Sequence, residues 1–322
     1  MPTLEIRPLH RSDRDQLADL VNAHASAVVP GMGTSVSFLL ASLERHPGEP
    51  ITDPWVTERA TLVAEQHRRV VAAAHLLRYC DEGPVNEYYR GLGQIEWFAF
   101  WPEAPSSNPY WANATAAAES LMDRCLSQFE QWGASRQCAA GDLPVPCGVY
   151  GVPEQWPHVR ALYEWAGFSH TGHTEVVYVA RVEELLRVAA PPLEALELRR
   201  SVGMNGTRFS AVAAGAVVGY IEVEIRDRAE RLSANGRWAD IGNLHVESGH
   251  RRRGVASWLL ARAAEWLKLA GVSRLLDYSY ADGRNPDGQD PSAYQAFLGS
   301  RGFRELTRTC RGWTREPPER LQ

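Results

Sequence analysis

The sequence lacks any apolar run long enough to cross a lipid bilayer, which takes about 20 consecutive apolar residues in a helix. Of the 322 residues, 44% are hydrophobic and 23% are charged, a balance typical of a soluble globular protein. Residues 1–16 mix charged and apolar side chains, unlike the apolar stretch of a secretory signal. We therefore predict a cytoplasmic protein that has no membrane partner.

Cysteine is scarce as well. The five cysteines are odd in number, and no two of them have the C-x-x-C spacing of a zinc or redox motif. Such a set favours isolated thiols over a disulfide framework or a zinc site. We therefore expect neither a disulfide framework nor a zinc site.

An excess of positive charge is also missing. The net charge is −5, whereas a nucleic-acid-binding domain needs a basic face, so we expect no nucleic-acid partner. Arg251, Arg252 and Arg253 form one local basic patch, and its small size suits a small anionic ligand. The mildly acidic balance of the chain suits a cationic acceptor such as an amine.

Two consecutive prolines, Pro191 and Pro192, mark the least regular join in the chain, because proline cannot continue a helix. On both sides of this join, strand-like and helix-like patterns alternate in a similar order, so the two halves resemble degenerate structural repeats. We therefore predict two domains, at residues 1–187 and 188–322. The first half has a helical insert over residues 12–45 that the second half lacks.

The most informative segment covers residues 244–260. It reads as a strand ending near Val246, a short polar loop with the pattern Arg251-x-x-Gly254-x-Ala256, and a helix. Such a junction directs several backbone N–H groups and the positive end of the helix dipole at one point, which makes an anion site. Gly254 has no Cβ to keep a phosphate away. The neighbouring arginines add guanidinium groups that bind phosphate oxygens well.

This segment resembles the phosphate loop of the GNAT superfamily of N-acetyltransferases. That loop has the form [Gln/Arg]-x-x-Gly-x-[Gly/Ala] and follows a strand ending in Leu-x-Val. Leu244-x-Val246 and Arg251-x-x-Gly254-x-Ala256 have the spacing of the family. The glycine patterns of dinucleotide-binding folds and of P-loops are absent from the sequence.

The resemblance implies a fold and a cofactor. We expect an α/β protein of two tandem GNAT-like domains, each a mixed, mostly antiparallel, splayed sheet flanked by helices. The resemblance implies acetyl-CoA as co-substrate and no metal, with the pantetheine arm between the strand ending at Val246 and a strand over residues 273–280. The cofactor-binding residues that it implies are Leu244, His245, Val246, Arg251, Arg252, Arg253, Gly254, Val255, Ala256 and Ser257.

A general base would remove a proton from the attacking amine. The family often places this base on the strand before the loop, at positions that are Asp240 and Gly242 here, so Asp240 is the candidate base; a solvated or salt-bridged strand residue is the alternative. Glu222 and Glu224 share one face of the neighbouring strand and are candidates for binding the charge of the acceptor, or lie on a solvated face. His245 is expected to face the substrate cleft or to be structural.

The family often protonates the departing thiolate with a tyrosine in the pattern [Leu/Phe]-Tyr-x-x-x-Gly-Phe. In the second half Leu298 stands at the tyrosine position. Tyr294, one helical turn earlier, is the candidate acid in its place, with Tyr278 and Tyr280 as further options. Transfer without a dedicated acid is also open, because a thiolate is a good leaving group.

The first half keeps the tyrosine of this pattern at Tyr163, but its loop over residues 103–111 has two prolines and neither arginine nor glycine. Proline removes N–H donors where donors are needed, so we predict that this half has lost phosphate binding. It would then supply the acceptor wall that the second half lacks. Trp97 is a candidate residue of that wall, and core packing is its alternative.

The leading functional hypothesis is an enzyme that acetylates a primary amine of a small molecule, such as an amino sugar, an amino acid derivative or an amine antibiotic. One alternative is acetylation of a protein lysine or N-terminus. Another is a non-catalytic module that binds or senses acyl-CoA. The chain is expected to act as a monomer or a homodimer.

Overall fold

The computed structural model describes residues 4–44, 52–102, 114–145, 149–186, 190–225, 237–281 and 291–316. Helices and strands alternate along these ranges. The helices are α1 (Arg14–Val28), α2 (Val36–Glu44), α3 (Ala114–Gln131), α4 (Pro157–Trp165), α5 (Val255–Leu269) and α6 (Pro291–Ser300). The strands are β1 (Leu4–Pro8), β2 (Val56–Gln66), β3 (Arg69–Tyr79), β4 (Leu92–Phe100), β5 (Arg136–Ala139), β6 (Val152–Pro153), β7 (Ser169–Arg181), β8 (Glu197–Gly203), β9 (Gly206–Ala213), β10 (Ala216–Ile225), β11 (Arg237–Val246), β12 (Val272–Tyr280) and β13 (Arg304–Arg315).

The described residues divide into two compact units. Unit 1 takes residues 4–145, 149–174 and 309–316, and unit 2 takes residues 175–308. These units differ from a division at residue 187 because β7 and β13 each contribute to both of them. The two functional domains at residues 1–187 and 188–322 stay a prediction.

Unit 1 contains the strands β1-β2-β3-β4-β5 in this order, followed by the second half of β13. All neighbours are antiparallel except β4 and β5, which run parallel and are connected through α3. A parallel pair needs such a crossover connection. On α1, the buried residues Leu17, Leu20, Val21 and His24 follow helical spacing and pack one face of the helix into the unit.

Unit 2 repeats this plan. Its order is the second half of β7, then β12-β11-β10-β9-β8. Here the parallel pair is β11 and β12, with α5 as the crossover helix. The apolar face of α5 packs Val255, Leu259 and Leu267 into the core of the unit. Mixed, mostly antiparallel sheets with flanking helices confirm the predicted fold class. Among the described residues, no helix is both long and apolar enough to span a membrane.

The pairing of β11 is what opens a site in unit 2. Its parallel ladder with β12 ends at the pair Asp240–Leu276, although both strands continue. Beyond that point β11 stays paired with β10 as far as Val246, and β12 stays paired with β7 as far as Tyr280. A bulge at Gly242 shifts the register between β10 and β11 within this stretch. The two parallel strands therefore part and leave a V-shaped opening between them.

Candidate active site

The loop before α5 connects a strand to a helix, as the sequence pattern predicts. Gly254 is the N-cap residue of α5, with φ 87° and ψ −4°, in the left-handed region that favours glycine. The first intrahelical bond runs from the N–H of Trp258 to the oxygen of Gly254 (3.0 Å). The N–H groups of Val255, Ala256 and Ser257 therefore precede the helical ladder and point out of the helix start. Three directed amides and the helix dipole make an anion site here.

A cavity of about 690 Å³, which we call the loop cavity, lies against this loop. It adjoins both the loop backbone and the first turn of α6. Its lining residues are Leu244, Val246, Ser248, His250, Arg251, Arg252, Gly254, Val255, Ala256, Ser257, Ala293, Tyr294 and Phe297. Most of the residues implied as cofactor-binding therefore meet at one cavity; of these, His245 and Arg253 are not among its lining residues.

The arginines of the loop have different roles. The Nε of Arg251 donates a hydrogen bond to the oxygen of Val246 (2.9 Å), which ties the loop to the end of β11. Arg252 has a positive φ of 57°, and Arg252 and Arg253 are exposed. The Nδ1 atom of His250 is buried and has no hydrogen-bond partner among the described residues. Together with the helix amides, this buried polar atom fits a site for a polar anionic group such as a diphosphate.

A second cavity, of about 240 Å³, occupies the opening between β11 and β12. We call it the V cavity. Its lining residues are Glu175, Ile241, Gly242, Asn243, Leu244, Asp277, Tyr278, Ser279, Tyr280, Pro291 and Tyr294. Leu244 and Tyr294 line both cavities, so the loop cavity and the V cavity share a wall.

Asp277 is the carboxylate at the apex of the V cavity. It is 4% exposed, its Oδ1 accepts a hydrogen bond from the N–H of Tyr278 (2.8 Å), and its Oδ2 accepts one from the hydroxyl of Tyr294 (2.6 Å). Burial raises the pKa of Asp277 to about 7, and the nearby charge of Asp240 acts in the same direction, whereas the two hydrogen bonds oppose the rise. A carboxyl group with this pKa exchanges protons near neutral pH.

The sequence interpretation missed Asp277. A signal was present: an acidic residue follows two leucines in a strand that is otherwise apolar at its centre, where a buried charge is costly unless it is used or paired. The register that puts Asp277 one residue past the partner of Asp240 cannot be read from the sequence, because β11 and β12 are joined through a long helix.

Asp240, the predicted base, is buried at 3% exposure and forms the last pair of the β11–β12 ladder. It lies close enough to Asp277 to affect its charge, but it is not among the residues lining the V cavity. Its role as the base stays a prediction.

Leu298 and Tyr294 lie in different surroundings. Leu298 is fully buried in the core of unit 2, whereas Tyr294, one turn earlier on the same face of α6, lines both cavities. Burial, together with the charge of Asp277 and the hydrogen bond to it, raises the pKa of Tyr294 well above its usual value. The catalytic role of Tyr294 stays a prediction.

Glu222 is a buried residue whose carboxylate forms hydrogen bonds within unit 2. It is 1% exposed, and its carboxylate accepts hydrogen bonds from Arg208 Nε (2.6 Å) and from the N–H groups of Met204 (3.3 Å) and Asn205 (3.1 Å). Burial raises its pKa, but the bonds from Arg208 and from the two amides outweigh burial, so the pKa of Glu222 is lowered. This carboxylate fixes the turn between β8 and β9 and is not among the residues lining either cavity.

The remaining predicted site residues, Glu224, His245 and Trp97, are not among the lining residues of either cavity. Glu224 is exposed on β10 beside Asp240. His245 packs its ring against Tyr220 at 5.7 Å, on the side of β10. Trp97 is 2% exposed inside unit 1, where its ring stacks on His75 at 5.9 Å. These positions favour packing for Trp97 and for His245.

The model of the acetyltransferase (GNAT) family matches residues 162–285. Three solved structures share the fold. A tandem GNAT protein from the clavulanic acid biosynthesis pathway has a TM-score of 0.64 and 16% identity, and the match covers 98% of this chain and 100% of that one. A GCN5-related glucosamine N-acetyltransferase region of a fungal multi-domain GH3 β-N-acetylglucosaminidase has a TM-score of 0.60 and 13% identity, over 98% of this chain and 38% of that one.

A GCN5-related N-acetyltransferase from Sphaerobacter thermophilus has a TM-score of 0.55 and 13% identity, over 97% of this chain and 94% of that one. Comparison with curated proteins by sequence gives no match. The family match includes the loop, α5 and β12, and the tandem fold extends over nearly the whole chain. Residues 162–285 therefore match the acetyltransferase (GNAT) family, and the chain as a whole has the fold of a tandem GNAT protein.

Proposed function

We propose that this protein transfers an acetyl group from acetyl-CoA to a primary amine of a small molecule, by direct attack in a ternary complex in unit 2. One observation carries the proposal: the loop cavity at the start of α5 and the V cavity share the wall formed by Leu244 and Tyr294. A cofactor held by its diphosphate at the loop can therefore extend its thioester end into the opening between β11 and β12.

The chain's own residues fit the cofactor. The amides of Val255, Ala256 and Ser257 would hold the pyrophosphate, and Gly254 allows the close approach of the backbone. The exposed arginines Arg252 and Arg253 would add charge at the rim. When bound, the cofactor supplies an activated acyl group as a thioester.

The V cavity suits an amine. Glu175 and Asp277 contribute carboxylates, and none of the described residues lining the cavity is a lysine or an arginine. Such a wall attracts a cationic group and repels an anionic one. A volume of about 240 Å³ holds a small acceptor, which favours a small molecule over a protein segment.

Calorimetry with coenzyme A, followed by a thiol-release assay with acetyl-CoA and a panel of amines, tests this function. We expect Gly254→Val to weaken coenzyme A binding about 100-fold, because a β-branched residue does not adopt φ 87° and its Cβ would lie 3.1 Å from Pro192 Cβ. The matched control is Gly249→Val in the same loop, where a Cβ meets nothing within 4 Å. Its affinity should match that of the wild-type protein.

The outcomes separate the alternatives. Absence of coenzyme A binding, or equal binding by Gly254→Val and the wild type, contradicts the proposal. Thiol release with lysine peptides and with none of the small amines indicates a protein acetyltransferase. Binding without release in any reaction indicates a sensing module.

A further inference from the structure

We propose that Asp277 and Tyr294 act as a proton-transfer pair, in which Asp277 accepts the proton of the attacking amine and Tyr294 protonates the departing thiolate. This inference rests on the proposed function of the V cavity. It assigns the base to β12 and not to Asp240 on β11.

The position of Asp277 supports this assignment. The β11–β12 ladder ends at Asp240 and Leu276, so Asp277 is the first β12 residue beyond the paired part of the two strands. Asp277 lines the V cavity, whereas Asp240 is not among its lining residues. A base must reach the proton that it removes, and this geometric condition comes before any argument from pKa.

Tyr294 connects the two ends of the reaction. Its hydroxyl lies 2.6 Å from Asp277 Oδ2, and the residue lines the loop cavity as well as the V cavity. The loop cavity holds the cofactor in the proposed function, so the sulfur would arrive on the side of Tyr294. The pair thus spans from the amine to the leaving group.

The protons and bonds balance over one turnover. The nitrogen of the neutral amine attacks the thioester carbonyl, the C–N bond forms, and the amine proton passes to Asp277. The C–S bond breaks, and the thiolate takes the proton of the Tyr294 hydroxyl. Asp277 then returns its proton to the Tyr294 oxygen through their hydrogen bond, which leaves an amide, a free thiol and the original pair.

The charge of Asp277 also determines at which step Tyr294 can donate its proton. This charge is one of the causes that hold the pKa of Tyr294 far above its usual value. When Asp277 takes up the amine proton, that repulsion ends and Tyr294 becomes a stronger acid. The tyrosine therefore becomes a donor at the step in which the thiolate needs a proton.

Titratable groups lie near Asp277 on three neighbouring elements of the described chain and on β12 itself. They are Asp240 on β11, Glu175 and Tyr178 on β7, Tyr278 on β12 and Tyr294 on α6. Two of them affect Asp277 in opposite directions: the charge of Asp240 raises its pKa, and the hydrogen bond from Tyr294 lowers it. Removing either of these two groups should shift the pKa of Asp277 in a direction known in advance.

The test is the pH dependence of kcat between pH 5.5 and 9.5, with acetyl-CoA and the panel amine that turns over fastest. We expect the wild-type kcat to rise with pH through about 7, where Asp277 loses its proton. Tyr294→Phe should move this rise to higher pH and also lower kcat. Asp240→Asn should move it to lower pH. The pKa of the amine is the same in all variants, so it does not affect the comparison.

Asp277→Asn should lower kcat about 100-fold and remove the rise, with coenzyme A affinity retained as a sign of intact folding. The proposal is overturned if Asp277→Asn keeps the wild-type rate, or if neither Tyr294→Phe nor Asp240→Asn moves the rise. If Asp277→Asn does not fold, the opposite shifts of the other two variants decide. If the wild type releases no thiol with any amine, the proposed function itself fails.

Discussion

Each unit contains one parallel strand pair, β4 with β5 in unit 1 and β11 with β12 in unit 2, and the two pairs differ at their ends. In unit 1, β4 and β5 pair as far as Ile95 and Ala139, and the chain after β5 remains bonded to β4. The N–H of Ala140 donates to the oxygen of Ile95 (2.8 Å), and that of Asp142 donates to the oxygen of Glu96 (3.1 Å). Backbone bonds therefore hold these strand ends together.

In unit 2 the matching pair parts after Asp240 and Leu276, and the V cavity lies beyond it. The strand register shows which residues of the two units correspond. Asp240 precedes the end of β11 at Val246 by as many residues as Gln94 precedes the end of β4 at Phe100. Asp240 therefore corresponds to Gln94, and its partner Leu276 corresponds to Cys138, the partner of Gln94. The difference shows that one fold element serves either as closed scaffold or as an open site, according to whether the strands stay bonded.

The side chains follow the same difference. Asp277 in unit 2 corresponds to Ala139 in unit 1, so unit 1 has no carboxylate at this position. The hydroxyl of Tyr163 donates to the backbone oxygen of Ala140 (2.7 Å), whereas that of Tyr294 donates to Asp277. The hydroxyl of Tyr163 therefore binds a backbone oxygen, whereas the hydroxyl of Tyr294 binds a carboxyl group that can exchange protons.

The strongest test of this contrast deletes one hydroxyl in each unit. Tyr294→Phe should lower kcat about 100-fold, because it removes the proton donor to the thiolate. Tyr163→Phe should leave kcat within about twofold and lower the free energy of unfolding by about 1 kcal/mol, because the half-buried backbone oxygen of Ala140 loses its partner. The measurements are steady-state kinetics and urea unfolding. Equal losses of kcat in the two variants would contradict a purely structural unit 1 tyrosine.

A second test places a tyrosine at position 298, where the GNAT sequence pattern has one. Leu298 is fully buried in the core of unit 2, so Leu298→Tyr adds volume and a hydroxyl to a packed site. We expect a loss of about 3 kcal/mol in the free energy of unfolding and no gain in kcat. Urea unfolding and thiol release measure the two effects. An increase in kcat would mean that a side chain at position 298 reaches the V cavity, against the burial that the structure shows.

Much of unit 2 could be predicted from local sequence. A strand, a polar loop and a helix start are short-range patterns, so the strand–loop–helix junction around residues Arg251 to Ala256 could be predicted, whereas the positive φ of Gly254 is seen only in the structure. The same holds for Tyr294, since helical spacing alone relates it to Leu298. Both predictions depend on residues a few positions apart along the chain.

The remaining features depend on pairing over long distances. Asp277 meets Tyr294 only because β12 leaves β11 at Asp240, and no local pattern encodes that register. Glu222 has the spacing of a ligand-binding residue, yet Arg208 across the hairpin occupies its carboxylate. The predicted loss of phosphate binding in unit 1 concerns residues 103–111, which lie outside the described residues, and it stays a prediction.

The end of β4 offers a further contrast. Where β11 ends at Val246 beside the loop cavity, β4 ends at Phe100 against a histidine pair: the ring of Phe100 lies 4.8 Å from that of His158, whose Nε2 lies 3.0 Å from Nε2 of His24. Burial lowers the pKa of each histidine to about 4. The space at this strand end is occupied by neutral packed rings, which suits scaffold and not a ligand.

Acid should therefore act on the two units in opposite directions. The folded pKa of His24 lies below its unfolded value of 6.5, so the unfolded chain binds more protons and unit 1 loses stability as the pH falls from about 6.5 to 4. For His24, which is 2% exposed, the loss between pH 7.5 and 5.0 is about 2 kcal/mol. Asp277 has a raised pKa, so its neighbourhood in unit 2 gains stability as the pH falls below about 7.

Hydrogen exchange read separately for α1 and for α6, corrected for the intrinsic effect of pH, measures this divergence. Protection of α1 should fall and that of α6 should rise between pH 7.5 and 5.0. His24→Phe should reduce only the response of α1, where His158 still titrates, and Asp277→Asn should flatten only that of α6, because each variant removes a buried titrating group from one unit. If protection of α1 and of α6 changed in the same direction with pH in the wild type, the opposite pKa shifts of His24 and Asp277 would be contradicted.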